Sequence, residues 1–229
     1  NTTFGTLPTA TWDTASTILV TGLNAATSAA ASWAQNIGNL TIACPSLGAA
    51  VANLAGRPTI NGNLTISNTG ATGRVVLFSG AGTSTINITG SLTVSGSGVM
   101  YAGTSGTVTV NVGGGVTFNT SGANSRLTQT GTTTLNLNGG NFDLQQGTLN
   151  LTSSTGGGTI SMNAGNFVTT SGFLQKTGTG AGLITFTGSG PQSIALPPAQ
   201  ISSGTINLTL SKASGDLTLA SNLTVSAFT

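Results

Sequence analysis

Six stretches of the chain carry one four-position phrase, threonine then apolar then polar then apolar, at nearly constant spacing. They are Thr85-Ile86-Asn87-Ile88, Thr109-Val110-Asn111-Val112, Thr134-Leu135-Asn136-Leu137, Thr159-Ile160-Ser161-Met162, the looser Leu183-Ile184-Thr185-Phe186, and Thr205-Ile206-Asn207-Leu208. Their last apolar residues follow one another at steps of 24, 25, 25, 24 and 22 residues. Alternation of period two marks a half-buried strand. Recurrence at a fixed period in the twenties marks a solenoid. Together they predict one short strand per coil, with like faces stacked above each other.

Further strand-like runs sit between these phrases. After Ile88 come Ser91-Leu92-Thr93-Val94 and Val99-Met100-Tyr101; after Leu137 come Asn141-Phe142-Asp143-Leu144 and Thr148-Leu149-Asn150-Leu151. Three short strands per coil, turned by glycine-containing corners, describe an all-β, right-handed parallel β-helix. Asn138-Gly139-Gly140-Asn141-Phe142 and Asn163-Ala164-Gly165-Asn166-Phe167 are near-duplicates, 25 residues apart, and fix the register. An antiparallel sandwich or barrel would show hairpin turns at shorter spacing without the longer period.

Towards the N-terminus, Leu40-Thr41-Ile42 and Leu64-Thr65-Ile66 are 24 apart, and Ile66 to Ile88 is read as the next step, of 22. Ile18, Leu19 and Val20 fall one coil before Ile42. This gives about nine coils of 22–25 residues, or roughly 45 Å of rod at ~4.8 Å per coil. Residues 37–229 are assigned to the β-helix. Residues 1–36 are assigned to an irregular N-terminal cap and the first coil, because an open terminal edge templates aggregation. Leu23 to Gln35 is alanine-rich and reads as a short helix or an irregular loop. Trp12 and Trp33, the only tryptophans, fall in this segment and are read as sealing the core end; a sugar-stacking platform is the alternative. The stretch from Gly190-Pro191 to Pro197-Pro198 reads as a corner loop.

Only 3% of residues are charged, against 37% hydrophobic. Uncharged polar residues suit a stacked sheet, where like charges directly opposite would repel. The five bases, Arg57, Arg74, Arg126, Lys176 and Lys212, are spread one or two per coil. Nucleic-acid binders cluster their bases, so no nucleic-acid partner is expected. No run approaches the ~18 apolar residues of a membrane helix, so no membrane span is expected.

The acids are Asp13, Asp143 and Asp216, with no Glu and no His. Glycosidic hydrolysis normally uses two carboxyls within ~5–9.5 Å, and in a regular stack these three lie several coils apart. Calcium asks for several oxygen ligands around one ion, and zinc usually takes His or Cys. Cys44 is single, without a His partner, and reads as a small buried hydrophobe. Glycine runs such as Gly113-Gly114-Gly115 lack the following Lys-Ser/Thr of a phosphate loop. No catalytic, cofactor or metal site is therefore expected, and a polysaccharide lyase is the least favoured reading.

What remains is surface. With Ile86 and Ile88 inward, Thr85 and Asn87 point outward, as do Thr109 and Asn111, Thr134 and Asn136. Such ladders can be purely structural. They can equally form an adhesive hydrogen-bonding face, or bind carbohydrate or ice.

The run Ala10-Thr11-Trp12-Asp13, leading through Ile18-Leu19-Val20-Thr21-Gly22 to Ile37-Gly38-Asn39-Leu40, Cys44-Pro45 and Ile60-Asn61-Gly62-Asn63-Leu64, resembles large repeat-rich surface proteins of Bacteroidota. So does Phe186-Thr187-Gly188 through Gln192-Ser193-Ile194 to Asp216-Leu217-Thr218-Leu219. The resemblance implies type IX secretion, a cell-surface or extracellular location, and a role as adhesin, matrix or filament component. It also implies partners that are surface glycans or further copies of the chain, assembled end to end or laterally. Asp13-Thr14-Ala15 fits the O-glycosylation pattern of that group, at Thr14. The ending Leu223-Thr224-Val225 to Thr229 reads as a repeat cut short, in a longer polypeptide with further coils and a sorting domain.

Overall fold

The computed structural model describes residues 2–121, 124–225 and 227–229. Every strand pair in it is parallel, and each sheet takes every third strand in sequence order, except at the end of the third sheet, where Ala227–Phe228 follows with no second-sheet strand between. This is a parallel β-solenoid of three sheets. The first sheet has nine strands, from Thr17–Val20 through Asn39–Ala43, Leu64–Asn68, Leu92–Ser97, Val116–Thr120, Phe142–Gln146, Phe167–Thr169 and Gln192–Ala195 to Leu217–Leu219. The second has eight, including Arg74–Phe78, Met100–Gly103, Ser125–Thr128, Thr148–Thr152 and Phe173–Gln175. The third has nine and contains the first five repeated phrases, with Thr83–Ile88, Thr107–Val112 and Thr132–Leu137 in unbroken register. The sixth phrase is shifted by two residues from the sequence reading, because Leu208 pairs with Ile184 and it is Leu210 that pairs with Phe186. Val112 pairs directly with Leu137, as the period requires.

Inward-facing residues build one continuous core. On the third sheet these are Ile86, Ile88, Val110, Val112, Leu135, Leu137, Ile160, Met162, Ile184 and Phe186, all buried. On the first, Phe142 pairs with Phe167 and their rings stack at 4.7 Å with 2° between planes; Phe118 lies 5.9 Å from Phe142. Each large side chain contributes about 1.5–3 kcal/mol on burial, which only stacked neighbours can supply.

The duplicated phrase is a corner built from hydrogen bonds. Asn163 Nδ2 donates to Asn138 Oδ1 at 2.7 Å, and the backbone N–H of Asn166 donates to Asn141 Oδ1 at 2.9 Å. Between them Gly140 and Gly165 adopt φ of +65° and +67°. The same device recurs, with the Asn63 backbone N–H on Asn39 Oδ1 and that of Ser91 on Asn63 Oδ1, both at 2.8 Å. An asparagine ahead of the first sheet thus ties four of these corners to the next coil, at Asn39, Asn63, Asn141 and Asn166.

Further details differ from the sequence reading. Nine first-sheet strands bound eight turns, not nine, or about 40 Å of rod. Ile66 is not stacked beneath Ile88: Ile66 pairs with Val94 on the first sheet, while Ile88 pairs with Ile60 on the third. The coil from Leu64 to Leu92 is 28 residues long, because the third-sheet strand grows from Thr59–Ile60 to Thr83–Ile88. Finally, Gln192–Ala195 is a first-sheet strand, paired with Phe167 and Val168. Pro191 precedes that strand, and only Pro198–Gln200 turns as a short 3-10 segment.

The alanine-rich stretch holds the two-residue strand Thr27–Ser28 and a 3-10 turn over Ala31–Trp33. Residues ahead of the first strand fold onto this coil. Trp33 is 1% exposed, its Nε1 donates to Gly5 O at 3.0 Å, and Phe4 packs edge-on against it at 5.2 Å. Trp12 is half-buried and donates to Gln35 Oε1 at 3.0 Å. Both indole N–H groups are thus satisfied inside the protein.

Candidate binding face

The outer surface of the third sheet carries the predicted ladder. Thr85, Thr109 and Thr134 pair in one column, and Asn87, Asn111 and Asn136 in the next. Sequence reading missed a third column, Thr83, Thr107 and Thr132, which the same pairing aligns two residues upstream. Its signal was present, since these three phrases are each preceded by another threonine at period two. The result is a grid of outward side chains spaced ~4.8 Å between coils and ~6.6 Å along each strand.

The two residue types play different parts. Asn111 Nδ2 donates to Asn87 Oδ1 and Asn136 Nδ2 to Asn111 Oδ1, both at 2.9 Å. The amides therefore satisfy one another along the rod. The six threonine hydroxyls make no side-chain hydrogen bond among the described residues. Thr83, Thr85, Thr107 and Thr132 are exposed, and Thr109 and Thr134 half-buried. Each hydroxyl offers one donor and two acceptor sites, beside a methyl group. The column continues to Thr159 and is then interrupted by Leu183.

A second concavity lies where the first sheet turns into the second. This groove of about 700 Å³ is lined by Asn119, Gln145, Gln146, Thr148, Ser171 and Phe173, among others. Phe173 is 41% exposed. The lining carries no ionisable side chain and combines amides, hydroxyls and one open aromatic ring.

The remaining sequence candidates are separate from both places. Thr14 is exposed at a turn in which Asp13 Oδ1 accepts the Ala15 backbone N–H at 2.7 Å. Asp143 lies on the sixth strand of the first sheet, while Asp13 precedes the first strand and Asp216 the ninth. Among the described residues no three His, Cys, Asp or Glu come together around a common point, and no helix is long and apolar enough to cross a membrane. Cys44 is buried; its Sγ donates to Val20 O at 3.3 Å, and burial pushes the thiol pKa up. Comparison with family models, curated proteins and solved structures finds no match.

Proposed function

We propose that this chain is a non-catalytic structural and adhesive rod of a bacterial cell surface or extracellular fibre. The observation that carries this reading is the threonine grid on a stiff, uncharged face. Six hydroxyls in register leave their donors and acceptors unspent, and the amide ladder beside them holds the face flat. Many weak hydrogen bonds presented on one rigid plane suit multivalent adhesion. The resemblance to repeat-rich surface proteins of Bacteroidota points the same way, with Thr14 open to O-glycosylation.

The test is adhesion under flow. Beads coated with the protein are expected to stay on a layer of bacterial surface polysaccharide. Beads carrying Thr85→Val, Thr109→Val and Thr134→Val together should detach at lower shear. Valine keeps the shape and β-propensity, so equal retention of both bead types would overturn the role of this face.

Carbohydrate binding at a discrete site is the second reading, favoured by the amide-lined groove with exposed Phe173.

A further inference from the structure

The outer face of the second sheet gathers charge that the sequence disperses. Arg126 stands directly above Tyr101 in the sheet, one coil on. Arg74 comes from the coil below, whose Val75 and Val76 pair with Met100 and Tyr101. Both guanidinium groups lie against the same ring, Arg74 at 5.1 Å from its centroid and Arg126 at 4.8 Å. Two of the five basic side chains thus flank the chain's only tyrosine. The strands that carry them are two coil steps apart, ~10 Å along the rod.

These arginines are not spent on the protein. The Arg74 side chain makes no hydrogen bond among the described residues, and its Nε is buried without a partner. Arg126 donates once, from Nη1 to Ser153 Oγ at 3.0 Å, and its Nε is likewise buried and unpaired. The lysines contrast with them. Lys212 Nζ donates to Gly188 O, Gly190 O and Gln192 Oε1 at 2.8, 2.8 and 2.7 Å, and Lys176 Nζ to Gly178 O at 3.0 Å. None of the three aspartates belongs to the second sheet. Stacking on Tyr101 holds the guanidiniums in place, while the terminal N–H groups not bonded within the protein are left for a carboxylate.

The same face continues away from the arginines. Asn150 pairs above Arg126, Gln175 pairs above Asn150, and Phe173 sits two residues before Gln175 with its ring exposed. Asn150 is buried and its amide is bonded to Thr177, so this face offers two fixed cations and an open aromatic ring along the axis.

We propose that this face binds an acidic polysaccharide laid along the rod, with uronate carboxylates two sugars apart on Arg74 and Arg126 and a sugar ring stacked on Phe173. A single small anion would use one arginine and leave the other unpaired. Nucleic acid fits less well, because its affinity grows with each phosphate neutralised and the surface offers only two free cations here. The site is on a different sheet from the threonine grid and does not depend on the adhesive reading of that grid.

The experiment is calorimetric titration with polygalacturonate oligomers, beside neutral dextran and duplex DNA, at low and high salt. The wild-type protein should bind polygalacturonate, bind dextran at least about tenfold more weakly, and lose affinity as salt screens the charges. Arg74→Gln with Arg126→Gln should weaken polygalacturonate binding at least about tenfold, and Phe173→Ala severalfold. The triple threonine-to-valine variant should leave it unchanged. Arginine modification by phenylglyoxal on the wild-type chain keeps the test independent of variant folding: polygalacturonate should protect Arg74 and Arg126 but not Arg57. Equal binding of dextran or of duplex DNA, equal affinity of the arginine variant, or equal modification with and without polygalacturonate would overturn the proposal.

Discussion

At the scale of single residues, the solenoid spends polar groups on the coil above or below. Cys44 is an instance: its thiol faces the core, and its hydrogen bond goes one coil down to Val20 O. Desolvation is the largest influence on it and raises its pKa. Native protein is therefore expected to react with iodoacetamide at least about a hundredfold more slowly than urea-unfolded chain, through opening of the coil alone. The pH dependence has a definite sign. The unfolded thiol ionises first, so the thiol's contribution to stability is complete below its ordinary value and declines as pH rises through the higher folded one. Urea midpoints at alkaline pH, compared with a Cys44→Ala variant, measure that decline; a midpoint falling equally in both would refute it. Asparagines at the corners follow the same rule. Asn39, Asn63, Asn141 and Asn166 were visible in the sequence, but their function was not. An oxygen accepting a backbone N–H two dozen residues away requires the corner to be built first.

At the scale of strands and corners, the repeated phrase identified the third sheet and its inward face because alternation and period agree there. It failed between Ile66 and Ile88 for a definable reason. First-sheet and third-sheet strands both carry polar–apolar alternation, so a spacing of 22 looked like one coil when it joined two different sheets. Corner geometry is the better register mark, and it is testable. Gly165 has φ +67°, and a Cβ there would run into Gly140 O in the coil below. Gly165→Ala is expected to cost at least about 2 kcal/mol, combining left-handed backbone strain with the close approach. Gly157, where a Cβ would meet only Ala181 O at 3.9 Å, should accept alanine within about 0.5 kcal/mol. Urea unfolding of the two variants decides; equal losses would mean the corner is not held by that approach.

At the scale of the whole rod, stacking changes what a sparse distribution means. Bases spaced one or two per coil look scattered along the sequence, yet stacking brings residues from successive coils together, as Arg74, Tyr101 and Arg126 show. The two ends of the rod also differ. At the first coil, Leu7 N–H donates to Ser32 Oγ, Gln35 Nε2 donates to Pro8 O, and Trp33 Nε1 donates to Gly5 O, so the leading segment is fastened across it. At the last coil Leu219 is 56% exposed and Phe228 58%, on strands with one edge unpaired. Such edges recruit further strands. The first-coil strands also have one edge unpaired, but the leading segment lies across them, so association of this chain through its last coil is expected to be isologous and to close at two copies. Sedimentation velocity over a wide concentration range is therefore expected to show a monomer–dimer equilibrium, abolished by Leu219→Lys with Phe228→Lys. Removing residues 1–16 opens the other end and makes the contact heterologous, so that variant should form filaments visible by electron microscopy. A wild-type chain that stays monomeric throughout, or a truncated one that stops at dimers, would show that the strand edges do not drive assembly.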